Sequence, residues 1–407
     1  MENSNELVSV ICPNCGASII GLANNLSIKC HWCHTVIPQD AYKTDAKMPD
    51  RILPFKITKE EAVKKIDEYM KTRKEYAKKE FLDDFKPEEI IPVYLPYMLV
   101  DAKVHAVSYG IGEKSEQPDE NERSKYRFYI SRSKVKREFD ISIDDLLIES
   151  SKSNSFDRVN STSNVISAVS PFDTENSVVF NSLFLNGYSS ENRELEVSVL
   201  NSQLNEITNT IARSEAKKMS DDYDRGVRLN NTSSQIIGSN WSSALLPVYL
   251  YSYYEKGTDK TYYIAVNGRT GKTIGSIPFN EKEAKIKLLL KMILICLPFI
   301  IMAIVIYILL FGKTNDAIRP QSSMPDFPIE VGIIIFVIYW ILYFIFYSRY
   351  DRIRSNYTNK DVKIDYVNDS KHNASNISKE DEVVLKYWSN LRARNNSETK
   401  VSYTFIE

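Results

Sequence analysis

The chain has 407 residues, with 52 basic against 53 acidic and a formal net charge of −1, which is length enough for two or three domains. That balance excludes any general electrostatic pull toward nucleic acid or acidic lipid. Four of the five cysteines stand in two Cys-x-x-Cys pairs and the N-terminal residues are polar and acidic, so neither a secreted disulfide framework nor a cleavable signal peptide is expected.

The first pair is Cys12-Pro-Asn-Cys15 and the second, fourteen residues later, is Cys30-His-Trp-Cys33. Each short turn presents two thiolates from one side, and the segment between can form a hairpin that brings the pairs together around a tetrahedral Zn²⁺. Cys12, Cys15, Cys30 and Cys33 make a closed ligand set, so the metal is expected to be structural, with His31 and His34 as bystanders. Reduced thiolates imply a cytosolic compartment. A ribbon over residues 1–48 is too small to fold without its metal. Its basic residues are Lys29, Lys43 and Lys47, against Glu2, Glu6, Asp40 and Asp45, so it cannot hold nucleic acid alone. Trp32 reads as a contact for a protein partner or for the rest of the chain.

Residues 49–285 read as a cytosolic α+β body with antiparallel strands. Thr58-Lys-Glu-Glu61 is a capping box that predicts a helix to about Lys79, with Ala62, Ile66 and Met70 on one face. Strands are expected over Ile90–Val100 and Ala102–Val107, then a charged loop from Gly112 to Arg123. Alternation predicts a further hairpin through Ile130, with a turn at Ser131-Arg-Ser133, resuming at Val135. The five basic residues between Arg127 and Arg137 fit its solvated face. Ser150–Asn176 has loop composition. Glu191–Met219 has helical spacing through Leu195, Val199, Leu204, Ile207 and Ile211. Ile90-Ile-Pro-Val-Tyr-Leu95 then returns as Leu245-Leu-Pro-Val-Tyr-Leu250, a weak internal repeat. Asn267-Gly268 predicts a hairpin turn. Gly268-Arg-Thr-Gly-Lys-Thr273 lacks both the first glycine of a phosphate loop and a following helix, so it is read as part of that turn. No catalytic motif accompanies His105, and no small-molecule substrate is evident.

Met292–Phe311 is a run of twenty uncharged residues and Val331–Tyr347 one of seventeen. At about 1.5 Å per residue the first matches a ~30 Å hydrocarbon core. The expectation is a two-helix transmembrane hairpin: spans over 286–312 and 330–348, joined by an external loop over 313–329. Lysines before the first run and arginines after the second place both termini in the cytoplasm of a multi-pass cell-membrane protein. Residues 349–407 read as a mostly disordered tail, with a possible helix over Asp381–Arg394.

Cys12-Pro-Asn-Cys-Gly16 with Cys30-His-Trp-Cys33, Ile52-Leu-Pro-Phe-Lys-Ile-Thr-Lys-Glu-Glu-Ala62, the two Pro-Val-Tyr-Leu segments and Ala265-Val-Asn-Gly-Arg-Thr-Gly-Lys-Thr273 resemble a bacterial family of membrane proteins with a TFIIB-type zinc ribbon. Its members are often labelled primosomal or replication-restart proteins. The departure is His34, where the second knuckle of the family ends in glycine. The resemblance implies a membrane anchor that recruits phage-shock-type or virion-core/SPFH-like proteins in envelope stress. The function expected is therefore a non-enzymatic adaptor that gathers cytosolic protein partners at the membrane. The alternative is a membrane-tethered nucleic-acid-binding protein.

Overall fold

The computed structural model describes residues 6–23, 25, 27–43, 46–116, 127–151, 169–219, 222–311, 329–359 and 364–390. The expected loop over 313–329 falls almost wholly outside them, as do residues 152–168 and 391–407.

The chain opens with the hairpin β1 (Leu7–Ile11) and β2 (Ser18–Leu22), then a small second hairpin, β3 (Ser27–Lys29) and β4 (Val36–Pro38). A short strand β5 (Arg51–Ile52) precedes α1 (Lys59–Lys71). The capping box is formed: Thr58 Oγ1 accepts from the Glu61 N–H at 3.3 Å and Glu61 Oε2 from the Thr58 N–H at 2.8 Å. Ala62, Ile66, Tyr69 and Met70 are buried. The helix stops at Lys71 rather than Lys79, because Tyr76 and Ala77 are drawn into the core, where Ala77 bridges Phe279. A separate α2 follows (Lys79–Asp83).

Two long strands come next, β6 (Ile91–Glu116) and β7 (Arg127–Glu149). The expected turn at Ser131-Arg-Ser133 is absent, since Ser131 and Ser133 are buried within β7 and pair across to β6. After β8 (Val178–Val179) and β9 (Ser189–Glu191), α3 (Val197–Lys218) lies on the sheet. Leu200, Leu204, Ile207 and Ile211 of α3 pack on Val104, Ala106, Phe139 and Ile141, whereas Val199 is exposed.

The strand β10 (Val227–Glu255) runs antiparallel to β6 along almost its whole length, and β11 (Lys260–Asn267) and β12 (Thr273–Gly275) continue the sheet. The two halves of the sequence repeat pair with each other, with Val93 opposite Val248, Tyr94 opposite Pro247 and Leu95 opposite Leu246. In or just beside each repeat stands a proline where the strand exchanges one outer neighbour for another. Pro96 lies between the β9 and β7 pairings, and Pro247 between those of β5 and β11. A residue with no N–H donor is tolerated best at such a step.

The helices α4 (Glu281–Phe311) and α5 (Ile329–Thr358) stand on the body by their charged ends. Ala284 and Leu288 of α4 and Tyr350 and Tyr357 of α5 join the buried cluster around Tyr76 and Phe279. Among the described residues, no helix is long and apolar enough to cross a membrane, which corrects the expected transmembrane hairpin and multi-pass localisation. The side chains at 296, 299–300, 303–304, 306–311, 329–336 and 338–339 lie outside the description. What is described of α5 beyond them carries Arg349, Asp351, Arg352 and Arg354.

The last elements are α6 (Tyr366–Asp369) and β13 (Lys371–Asn390). Asp381–Asn390 is therefore strand and not helix. Pairing along β7 explains this, because residues 371–390 complete the ladder that β7 leaves open on its far side.

Candidate metal centre

The two cysteine knuckles have the same backbone. The N–H of Gly16 donates to Cys12 O at 2.8 Å, and that of His34 to Cys30 O at 2.9 Å. Likewise the N–H of Cys12 donates to Ala17 O and that of Cys30 to Thr35 O, both at 2.8 Å. Each knuckle closes through a residue of positive φ, 75° at Gly16 and 61° at His34. Histidine stands in the second knuckle where the first has glycine. A non-glycine residue there costs roughly 1–2 kcal/mol. His34 Nε2 lies 2.9 Å from Ser252 Oγ on β10, a bond that offsets part of the strain and ties the knuckle to the body.

The structure brings together all four cysteines that the spacing singled out. Their Sγ atoms lie within 4.8 Å of one another, with Cys12 to Cys33 and Cys15 to Cys30 each at 3.5 Å. A tetrahedron with Zn–S bonds of about 2.3 Å has S···S edges near 3.8 Å, so the donor set fits such an ion. Four soft sulfur donors form a group that can hold a metal ion such as zinc. Thr35 Oγ1 sits 3.2 Å from Cys33 Sγ, where a hydroxyl donor stabilises a thiolate. Neither histidine is turned to the sulfurs by its contacts. His31 is fully buried with Nδ1 at 2.8 Å from Ser189 Oγ, and burial pushes its pKa down to about 3, which keeps it neutral. Burial also lowers His34.

The cysteines are fused into the body. The β1–β2 hairpin enters the large sheet through β9, with Ile19 opposite Glu191 and Ile20 opposite Ser190, while β9 lies parallel to β6. Cys12, Cys15 and Cys30 belong to one buried cluster with Leu53, Val93, Leu95, Leu246 and Tyr263. Trp32 is 3% exposed and meets Tyr263 edge-on at 5.3 Å, so it is an internal contact. The large apolar side chains left outward beside the knuckles are Ile11, 55% exposed just before Cys12, and Val36, 62% exposed just after Thr35.

At the seam between hairpin and body lies a group that no sequence pattern singles out. Glu191 is 1% exposed, and neither carboxylate oxygen has a hydrogen-bond partner among the described residues. Burial, reinforced by Glu149 and Glu194, raises its pKa well above the usual carboxylic-acid range. Only its place in β9, between two strands, signals burial, and a three-residue strand leaves no periodicity to read.

The Asn267 turn forms as expected. Asn267 Nδ2 donates to Val169 O and Pro171 O, and Arg269 holds Asp173 through both carboxylate oxygens. The face of β7 that bears Arg132, Lys134 and Lys136 is solvated, but Arg137 is buried against Asp381. His105 bonds Asp140 Oδ1 at 2.9 Å on that solvated face.

Compared with protein-family models, with curated proteins and with solved structures, the chain matches none.

Proposed function

We propose that this chain is a non-enzymatic adaptor whose four cysteines hold a structural zinc ion. The zinc stiffens a protein-docking surface built on the α+β body. The observation that carries the reading is the closed set of four sulfurs, Cys12, Cys15, Cys30 and Cys33, packed into the body's own core. A closed set leaves the metal no vacant position for substrate, so its work is mechanical. It stiffens the knuckles that present Ile11 and Val36 to solvent. Resemblance to TFIIB-type ribbon proteins supports the recruiting role.

Metal analysis of the purified chain tests the first half, with one zinc per chain expected. For the second half, the pair Ile11→Asp and Val36→Asp leaves the cysteines and the core intact. The proteins that co-purify with the wild-type chain should be lost from this variant while its zinc content and unfolding midpoint stay unchanged. An unchanged set of co-purifying proteins would remove the knuckles as the docking surface.

A further inference from the structure

The distal end of the long sheet holds an open cleft of about 430 Å³, lined by Glu113, Arg132, Arg225, Arg228, Ile111 and Val227. Three arginines line it from three different segments: β7, the turn before β10, and β10 itself. One carboxylate faces them. Glu113 Oε1 accepts from Arg132 Nε at 3.0 Å and from Arg132 Nη2 at 2.6 Å, while its Oε2 lies 3.9 Å from Arg225 Nε. Three positive charges against one leave the lining with two to spare, although the whole chain is close to neutral.

The cleft is preformed. The N–H of Glu113 donates to Gly226 O and that of Arg225 to Glu113 O, both at 3.2 Å, so the turn extends the β6 ladder. Gly226, at φ +89°, lets the chain reverse into β10. On the opposite face Tyr223 lies flat against Gly112, where a Cβ would come within 2.6 Å of the ring, and its hydroxyl donates to Asp381 at 2.8 Å. A floor pinned in this way holds the arginines at little further entropic cost on binding.

We propose that this cleft binds the phosphate group of a nucleotide-sized organic phosphate. Arginine forks match phosphate oxygens two at a time, which lysine cannot do. The volume falls within the range of small-ligand sites. Ile111, directly across from Arg228 on the same face of the sheet, gives the organic part an apolar wall. Glu113 is the positioning residue: it aligns Arg132 and Arg225, leaving Arg225 and Arg228 to close on the ligand.

The test is calorimetric titration of the full, metal-loaded chain with pyrophosphate, with ADP and with a single-stranded 20-mer DNA. ADP and pyrophosphate should bind saturably, one per chain, and more weakly as salt rises. The double variant Arg225→Gln, Arg228→Gln should weaken both by about tenfold or more with no change in the unfolding midpoint. Arg225→Lys, Arg228→Lys should restore only part of the loss, since it returns charge without the fork. Absence of saturable binding at millimolar ligand would overturn the proposal. So would ADP binding indifferent to the glutamine variant, or full rescue by lysine. Binding of the DNA alone, lost in the same variant, would show a polyanion surface instead.

Discussion

Around Val93 and Val248 the long sheet shares one buried apolar cluster with the β1–β2 hairpin and the four cysteines. From Ser108 onward the same β6–β7–β10 sheet is also held by charge. There Arg137 is buried and grips Asp381 of β13, Nη1 to Oδ1 at 2.5 Å and Nη2 to Oδ2 at 3.1 Å, with Tyr223 on the same carboxylate. The two ends differ in what a single change removes. Apolar packing loses free energy in proportion to the area exposed. A buried ion pair adds little net stability, yet breaking one side leaves a desolvated charge behind. The long ladders are irregular as well. β10 and β13 each carry two register shifts along their pairings, irregularities that discourage edge-to-edge association of long exposed strands.

The sharpest way to break the comparison is at the metal. Cys30→Ser should abolish metal binding and lower stability by on the order of 5 kcal/mol or more, given ~10–16 kcal/mol for zinc in isolated fingers. Urea unfolding with metal analysis reads it, and because the cysteines share a core with Val93 and Leu246, the proximal sheet should unfold with the ribbon. A metal-free protein with an unshifted midpoint would refute this. At the distal end Asp381→Ala should cost about 1–3 kcal/mol by removing the partner of the buried Arg137, and hydrogen exchange should speed first in β13 and β7. Adding Arg137→Met to that variant should recover most of the loss. If it does not, the pair is not what holds the strand.

At the seam the effect is smaller and depends on pH. Glu191 has a raised pKa when folded, so its stabilising contribution is full below the unfolded value and is lost as pH rises toward the folded one. Between those limits wild-type stability should fall with pH by up to about 1.4 kcal/mol per unit, and Glu191→Gln should flatten that slope. Parallel slopes for both proteins would rule the group out. The finest comparison is between the knuckles. Gly16→Ala meets no atom within 4 Å at its new Cβ, yet should cost about 1 kcal/mol through its φ of +75°. His34→Gly should be near neutral, gaining backbone freedom while losing the Ser252 bond. Ser252→Ala should then cost nothing further in the His34→Gly background, and a double-mutant cycle measures it.

Much of this was legible in the residues themselves. The four ligands, the Thr58 capping box and the Asn267 turn depend on groups a few positions apart, whose geometry covalent spacing already dictates. The pairing of the two Pro-Val-Tyr-Leu segments was visible as likeness but not as contact. Residues 381–390 carry apolar groups whose spacing permits helix or strand, and the open edge of β7 chose strand. Apolar runs 292–311 and 331–347 suggested a membrane hairpin that the described helices do not supply, and both runs include side chains outside the description.

From its sequence alone this chain determined a cluster of four sulfurs able to hold a metal ion and an α+β class, since both follow from short-range chemistry and periodicity. Only the fold decided that Glu191 is buried, that Arg137 finds Asp381 across 244 residues, and that Arg132, Arg225 and Arg228 share one cleft. Those meetings depend on strand register. A shift of one residue turns every side chain to the opposite face, so no local pattern can specify which distant charges meet.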